Sequence, residues 1–433
     1  MKIKMNILLT VLIIFGVMDS YAQDTLRYNV VLDEALRKNF FIKNELLNID
    51  LAKGEFYRSN NFFPKFPELD FEYETDRFYE DKGNKLFSLT LSQEIEIAGQ
   101  FSTRNDISNF RVKQSEFEYK ARNYEILFAI KSLLNNVITL QLKLQIAKEI
   151  HQINEVLLFS SERRLKVGDI SELDYNLILI ETNNSLVNLR KTETEFKNKV
   201  NDLNVYLGNE QDKLLYVGVD TSYNPVTLSL DQLHKASLEN RAEIKAIEYE
   251  RLAAGSEISL YKSEIIPNLK LSLGYSNGTA IIPGDDIIGE HNILRIQDDD
   301  KNLKFGVGFS VPLPFNGLFN YNRGNIRVAE VRSKILNNKI ELIRKIINSE
   351  VINAFNKWES SKKNIELLQT NNQIIESTLE LLKRGYDKGE ISLITYLTEK
   401  QKLYEMKLNY IDILGEYNQS IIEIEKVTQT KIK

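Results

Sequence analysis

The chain has 433 residues, a formal net charge of −5, 42% hydrophobic and 27% charged residues, and 7 prolines. This length suits two or three domains with a large core, and the slight acidity argues against a nucleic-acid partner. The lack of cysteine excludes disulfides, thiolate metal sites, cysteine nucleophiles and a lipid-bearing cysteine, while His151, His234 and His291 are too scattered to form a metal set within one chain.

The first 22 residues read as a secretory signal peptide. Lys2 and Lys4 precede an apolar run from Ile7 to Met18, and Ser20-Tyr21-Ala22 places small residues before Gln23. The run is shorter than the about 20 residues a membrane helix needs. No later segment shows a continuous apolar stretch of that length, so a mature chain entering a membrane is expected to do so with strands.

From Val31 onward the chain is duplicated. Glu34-Ala35-Leu36-Arg37-Lys38-Asn39, read as the opening helix, is matched by Lys235-Ala236-Ser237-Leu238-Glu239-Asn240. The run from Pro67 to Tyr73 is matched by that from Pro267 to Tyr275, Phe87–Ser92 by Phe305–Ser310, and Gly99 by Gly317. Last, Gly168-Asp169-Ile170-Ser171 is matched by Gly389-Glu390-Ile391-Ser392. The order is conserved between halves, and the offset grows only from 200 residues (Pro67 to Pro267) to 221 (Gly168 to Gly389). Such register indicates a tandem repeat, assigned to residues 23–226 and 227–433.

Each repeat reads helix, strand, strand, long helical stretch. Leu69, Phe71 and Tyr73 alternate with Asp70 and Glu72, and the same period two runs through Leu269, Leu271 and Leu273, through Phe87, Leu89 and Leu91, and through Phe305, Val307 and Phe309. About ten residues per strand matches a tilted bilayer crossing, although an ordinary soluble hairpin shares the pattern. The connection from Thr75 to Lys85 reads as a short loop. That from Asn277 to Lys301, with Pro283, Asp285, Asp286, His291 and Asp298-Asp299-Asp300, reads as a solvated surface loop.

Between Gly99 and Arg164 there is neither proline nor glycine, enough for about 100 Å of helix. Ile126, Ile130, Leu133, Val137, Leu140, Leu144 and Ala147 keep a 4-3 spacing, as do Leu403, Met406, Tyr410, Ile413 and Tyr417; both are coiled-coil seams. Leu127, Leu134 and Ile138 add a second apolar flank, which a helix in a tube wall requires. Four strands cannot close a barrel, and open edges do not survive in lipid. Closure therefore needs several copies. Three would give twelve strands around a lumen, and strand count alone leaves four open.

Over about Val31 to Ile424 this combination resembles the TolC-like outer-membrane efflux family, the outer-membrane factor of tripartite export systems. The resemblance rests on the duplication, the strand from Pro267 to Tyr275, the strand from Phe305 that ends in Val311-Pro312-Leu313-Pro314, and two glycine-centred breaks, Arg163 to Gly168 and Arg384 to Gly389. It implies an α+β membrane protein: a homotrimer with a 12-stranded β-barrel in the outer membrane and a periplasmic α-helical barrel. Leu269, Leu271, Leu273, Phe305, Val307 and Phe309 are then lipid-facing.

The same resemblance places the breaks at the periplasmic tips, where Arg163, Arg164, Gly168, Asp169, Arg384, Gly389 and Glu390 would meet an adaptor protein. Gate positions fall on Asp174 and Tyr386. The family's partner arginine is Ile391 here, and the paired acidic constriction of some members falls on Thr395 and Thr398. The implied function is a passive outer-membrane channel for small-molecule or metal-ion export, driven by an inner-membrane pump through an adaptor, with no catalytic residues, cofactor or resident metal. A periplasmic coiled-coil adaptor is the alternative, and it predicts one hairpin where this chain has two.

Overall fold

In the computed structural model the described residues are 25–26, 28–63, 65–75, 85–210, 213–218, 223–283, 295–310 and 322–432. The signal peptide, Gly317, the Val311–Pro314 segment, residues 76–84 of the first connection and residues 284–294 of the second, with Asp285, Asp286 and His291, lie outside them.

Eight helices and six strands follow one another among the described residues. The first half contains β1 (Thr25–Leu26), α1 (Tyr28–Lys38), α2 (Phe40–Ser59), β2 (Glu68–Thr75), β3 (Lys85–Ile95), α3 (Gln100–Lys166) and α4 (Glu172–Leu207). After β4 (Tyr216–Val217) the second half runs α5 (Leu230–Asn240), α6 (Ala242–Ser263), β5 (Asn268–Pro283), β6 (Arg295–Ser310), α7 (Arg323–Asp387) and α8 (Leu393–Thr428). The helix-helix-strand-strand-helix-helix order therefore occurs twice. The matched hexapeptides end their helices rather than start them: the Asn39 side chain accepts from the Phe41 N–H (2.9 Å) and so caps α2.

The chain divides into two compact units, each drawing on both halves. One takes in Asn44–Arg122 and Arg241–Ile346; the other takes in Met1–Lys43, Asn123–Asn240 and Ile347–Lys433.

The first unit holds a four-stranded antiparallel sheet of order β2-β3-β5-β6. Its helices pack through Ile247 and Ala254 of α6 against Leu336 and Ile340 of α7. The strands differ in length from the expected ten: β2 has 8 residues, β3 has 11, and β5 and β6 have 16 each. The supposed loop from Asn277 to Lys301 is mostly ladder, with Gly278 paired to Asp300, Thr279 to Asp299 and Ala280 to Asp298. The three aspartates occupy consecutive strand positions. The strand continues through Asn277-Gly278 because β3 pairs β5 on its other side, with Leu86 opposite Gly278.

In the second unit α3 and α8 pack through Ile146, Tyr404 and Ile411. Polar rungs fix their register: the Asn135 amide donates to the Gly415 carbonyl at 2.9 Å and Ser132 to Gln419 at 3.0 Å. Gly415 permits the close approach, since a Cβ there would sit 2.6 Å from the Thr139 hydroxyl. On α3 the expected seam is buried at Ile126, Ile130, Val137, Leu144 and Ala147, joined by Leu134 from the second flank. On α8 the seam is shifted. Tyr404, Ile411, Leu414 and Tyr417 are buried, whereas Met406 is exposed. Apolar residues on both flanks make either row available, and packing on α3 selects one. The two flanks also give α3 an 18-residue window apolar enough to cross a membrane by length and composition, a window that inspection for an unbroken apolar run misses. A short parallel pair, β1 with β4, was not legible in the sequence.

Candidate functional site

Both helical hairpins turn through the same local chemistry. At the end of α3 the Gly168 N–H bonds the Leu165 carbonyl (3.0 Å) and the Asp169 N–H bonds the Arg164 carbonyl (2.8 Å). At the end of α7 the Gly389 N–H bonds Tyr386 (2.9 Å) and the Glu390 N–H bonds Gly385 (2.8 Å). These paired 5→2 and 6→1 bonds are Schellman motifs, which place a left-handed residue at the first non-helical position. Gly168 and Gly389 supply it, with φ of 78° and 76°. Three residues after each glycine a serine begins the returning helix. Ser171 accepts from the Asp174 N–H (3.0 Å) and Ser392 from the Thr395 N–H (3.2 Å).

The expected tip residues gather at these turns. The Arg163 guanidinium lies 4.2 Å from the Phe159 ring centroid, and Arg384, its counterpart 221 residues on, pairs with Glu380 at 2.6 Å. Arg164 donates through Nε to Asp169 (2.6 Å), and that bond, with a smaller contribution from Tyr386 of the second turn, holds its guanidinium above the usual arginine range. Lys388 lies 3.9 Å from Glu390.

The expected gate residues divide. Asp174 serves as the third residue of a capping box, its carboxylate accepting from the Ser171 hydroxyl at 2.8 Å. Tyr386 stacks on Tyr396 with ring centroids 4.8 Å apart. Thr395 and Thr398, one turn apart, both face outward. Ile391, where the family pattern suggests arginine, instead joins the apolar cluster of Ile178, Leu393 and Tyr396.

Three features escaped the sequence reading. Leu173 and Ile394, at equal repeat positions beside the two serine caps, expose large apolar side chains, as does Val167 at the first turn. The 221-residue offset would have paired Leu173 with Ile394. The third is Lys400, which is 3% exposed. Its ammonium donates to the Asn154 side-chain oxygen at 2.6 Å and lies 5.4 Å from the Tyr396 ring centroid. It borders a cavity of about 200 Å³ lined also by Glu149, Glu376, Glu380 and Lys383.

Burial holds the Lys400 ammonium below the usual lysine range, and Glu181 opposes that shift. Between the lowered folded pKa and the unfolded value of about 10.4 the unfolded chain binds the extra proton, so stability rises with pH across that window. Thermal melts at stepped pH should therefore show the wild-type midpoint climbing relative to Lys400→Met as pH approaches about 10.4. A difference that stays constant with pH would remove Lys400 as the titrating group.

In the other unit the sheet has two unlike faces. One carries the rows Leu69-Leu91-Leu273-Phe305, Phe71-Leu89-Tyr275-Leu303 and Ile95-Leu269-Phe309, with Leu271 and Val307 between them. Phe305 is 72% exposed and Leu69 63%. Gln93 interrupts this face, but its amide turns back onto the Lys65 and Glu94 carbonyls. The opposite face carries Glu68, Asp70, Glu72, Glu74, Glu94 and Asp300 against Lys270 and Lys304, interspersed with serine, threonine and glycine. Among the described residues the edge strands β2 and β6 have no further neighbour. All six residues expected to face lipid thus share one face.

A family model described as "Outer membrane efflux protein" matches residues 58–209 and 217–428. No curated relative matches the chain in sequence. Among solved structures it is similar to CusC, studied for the conformational changes accompanying folding and transmembrane channel formation (17% identity, 96% of this chain and 95% of that one, TM-score 0.71). It is also similar to the Campylobacter jejuni CmeC outer membrane channel (16%, 92% and 85%, 0.71) and to the open state of the Neisseria gonorrhoeae MtrE outer membrane channel (13%, 93% and 88%, 0.71).

Proposed function

Since this chain belongs to the outer membrane efflux protein family, we propose how its geometry serves an outer-membrane channel of a tripartite efflux system. Three copies each contribute the four-stranded sheet, and β6 of one pairs with β2 of the next. Alternating strand direction makes that junction antiparallel, and twelve strands leave no edge for lipid to meet. The apolar face then turns to lipid and the charged face to a water-filled lumen. The sheet carries this reading: two unlike faces and two open edges suit a segment of a membrane barrel.

The long helices of the second unit form the wall of the periplasmic tunnel. Their two turns, with Arg163, Arg164, Gly168, Asp169, Arg384, Gly389 and Glu390, present the surface an adaptor protein meets, and the adaptor couples the channel to an inner-membrane pump. Tyr386, Thr395 and Thr398 border the tunnel mouth, while Asp174 acts there through its cap. The family is a transport family; we read this chain as a passive conduit with no chemistry of its own, built from the two repeats 23–226 and 227–433. Its cargo is a small molecule or metal ion.

Mature protein should fractionate with the outer membrane, resist carbonate extraction and give discrete conductance steps in a planar bilayer. Recovery in the soluble periplasmic fraction without conductance would reject the barrel and favour a coiled-coil adaptor.

A further inference from the structure

The slant of the sheet dictates how one copy meets the next. Rungs from Glu68, where β2 starts, lead to Ser92, Ser272 and Gly306, yet β6 runs on to Ser310. The apolar rows step the same way. The Ile95-Leu269-Phe309 row has no member in β2, and the Tyr73-Phe87 rung continues into polar Asn277 and Lys301. From β2 to β6 the sheet thus steps towards the helices by the four residues from Gly306 to Ser310. A tilted barrel requires such a stagger.

Continued across the junction, the same slant displaces β2 of the next copy by about four to six residues relative to the rungs. The displacement is even, because the polar faces of both strands turn to the lumen. Three copies then stagger by about 12 or about 18 residues in total. At about 3.4 Å per residue and 4.8 Å per strand this is a tilt of roughly 35° or 47°, bracketing the roughly 35–45° of such barrels. A displacement of about four sets Lys304 opposite Glu74 of the next copy, with Gly306 and Gly308 opposite its Glu72 and Asp70. A displacement of about six makes Lys304 the diagonal neighbour of that Glu74, still within reach of a long side chain.

The charges suit this meeting. Among the described residues neither Lys304 nor Glu74 forms an ion pair within its own chain. The rung of Lys304 crosses Gly274 and Thr90 before it reaches Asp70, three strands and about 14 Å away. A junction without displacement would instead set Asp300 opposite Glu74, and like charges directly opposite repel.

We propose that Lys304 of one copy and Glu74 of the next form an ion pair on the lumen side of the β6–β2 junction, and that this pair selects the register in which three copies close. The inference rests on the barrel reading above. A solvated pair adds little stability; its effect is to favour the staggered junction over the flat one.

The lack of native cysteine permits a direct test in the full chain. Lys304→Cys combined with Glu74→Cys, treated in outer-membrane fractions with a short rigid bismaleimide, should give covalent dimers and trimers. Asp300→Cys combined with Glu74→Cys should give none. Lys304→Glu and Glu74→Lys should each lower trimer yield several-fold, and the double reversal should restore it. Adducts from the Asp300 pair in place of the Lys304 pair would overturn the ion pair and leave the barrel standing. So would single reversals at wild-type yield, or a double reversal no better than the singles. No adduct between copies from either cysteine pair would reject the β6–β2 junction, and the barrel with it.

Discussion

Arginine at Leu273 or Phe305 is expected to remove assembled trimer from the outer membrane, while arginine at Asn302 leaves it near wild-type yield. Leu273 and Phe305 are directly paired and lie in the middle row of the apolar face, flanked by Leu69 and Leu91. That row falls near the bilayer midplane, where an arginine facing lipid costs about 2–4 kcal/mol per chain. The penalty recurs in each of three copies, so a trimer bears roughly 6–12 kcal/mol if the copies act independently, comparable with the whole stability of an ordinary domain. Asn302 stands on the same strand, three residues from Phe305 and on the opposite face, paired with Ser276. An arginine there would meet water. Trimer yield on a semi-native gel of outer-membrane fractions gives the answer. Equal yields from the two faces would reject the face assignment, and loss confined to Asn302→Arg would reverse it.

The alternation behind this test was legible because period two needs only the order of residues, and Leu269, Leu271 and Leu273 state it plainly. The length of β5 was not. Ser276-Asn277-Gly278 carries turn chemistry, and it is held extended by partners on both sides, Leu86 and Asp300, which lie far away in sequence. The α8 seam failed for a related reason. A helix with apolar residues on two flanks does not state which flank its own chain covers, and Leu403 and Met406 had as good a claim as Tyr404 until α3 was placed. Lys400 was invisible because a lysine in a helix is ordinarily solvated; only the arrangement of Asn154, Tyr396 and their helices buries it. The turns were the most legible feature, since their hydrogen bonding is local and the same glycine-acid-isoleucine-serine sequence is written twice.

Those turns give the second large expected effect. Gly168→Val and Gly389→Val should each abolish efflux in cells while leaving trimers in the outer membrane. Both glycines have left-handed backbones, so a β-branched residue is strained by about 1–2 kcal/mol per chain, roughly 3–6 kcal/mol over three independent copies and about half the loss expected of a lipid-facing arginine. Neither substitution meets a steric obstacle within the chain, because a Cβ built at either position has nothing within 4 Å. The added side chain points away from the protein's own packing into open space, where on the proposed reading an adaptor tip seats. The exposed apolar Val167, Leu173 and Ile394 nearby suit such a contact. Efflux of a fluorescent substrate, read alongside trimer yield, separates the two possible roles of these glycines. Wild-type efflux from both variants would remove the turns from the docking surface. Loss of trimer in step with loss of efflux would assign the glycines to folding alone. Gly168→Ala and Gly389→Ala sharpen the comparison, since alanine takes the same left-handed penalty without branching at Cβ: efflux that survives alanine and fails with valine identifies the bulk presented to the partner, and not the backbone strain, as the cause.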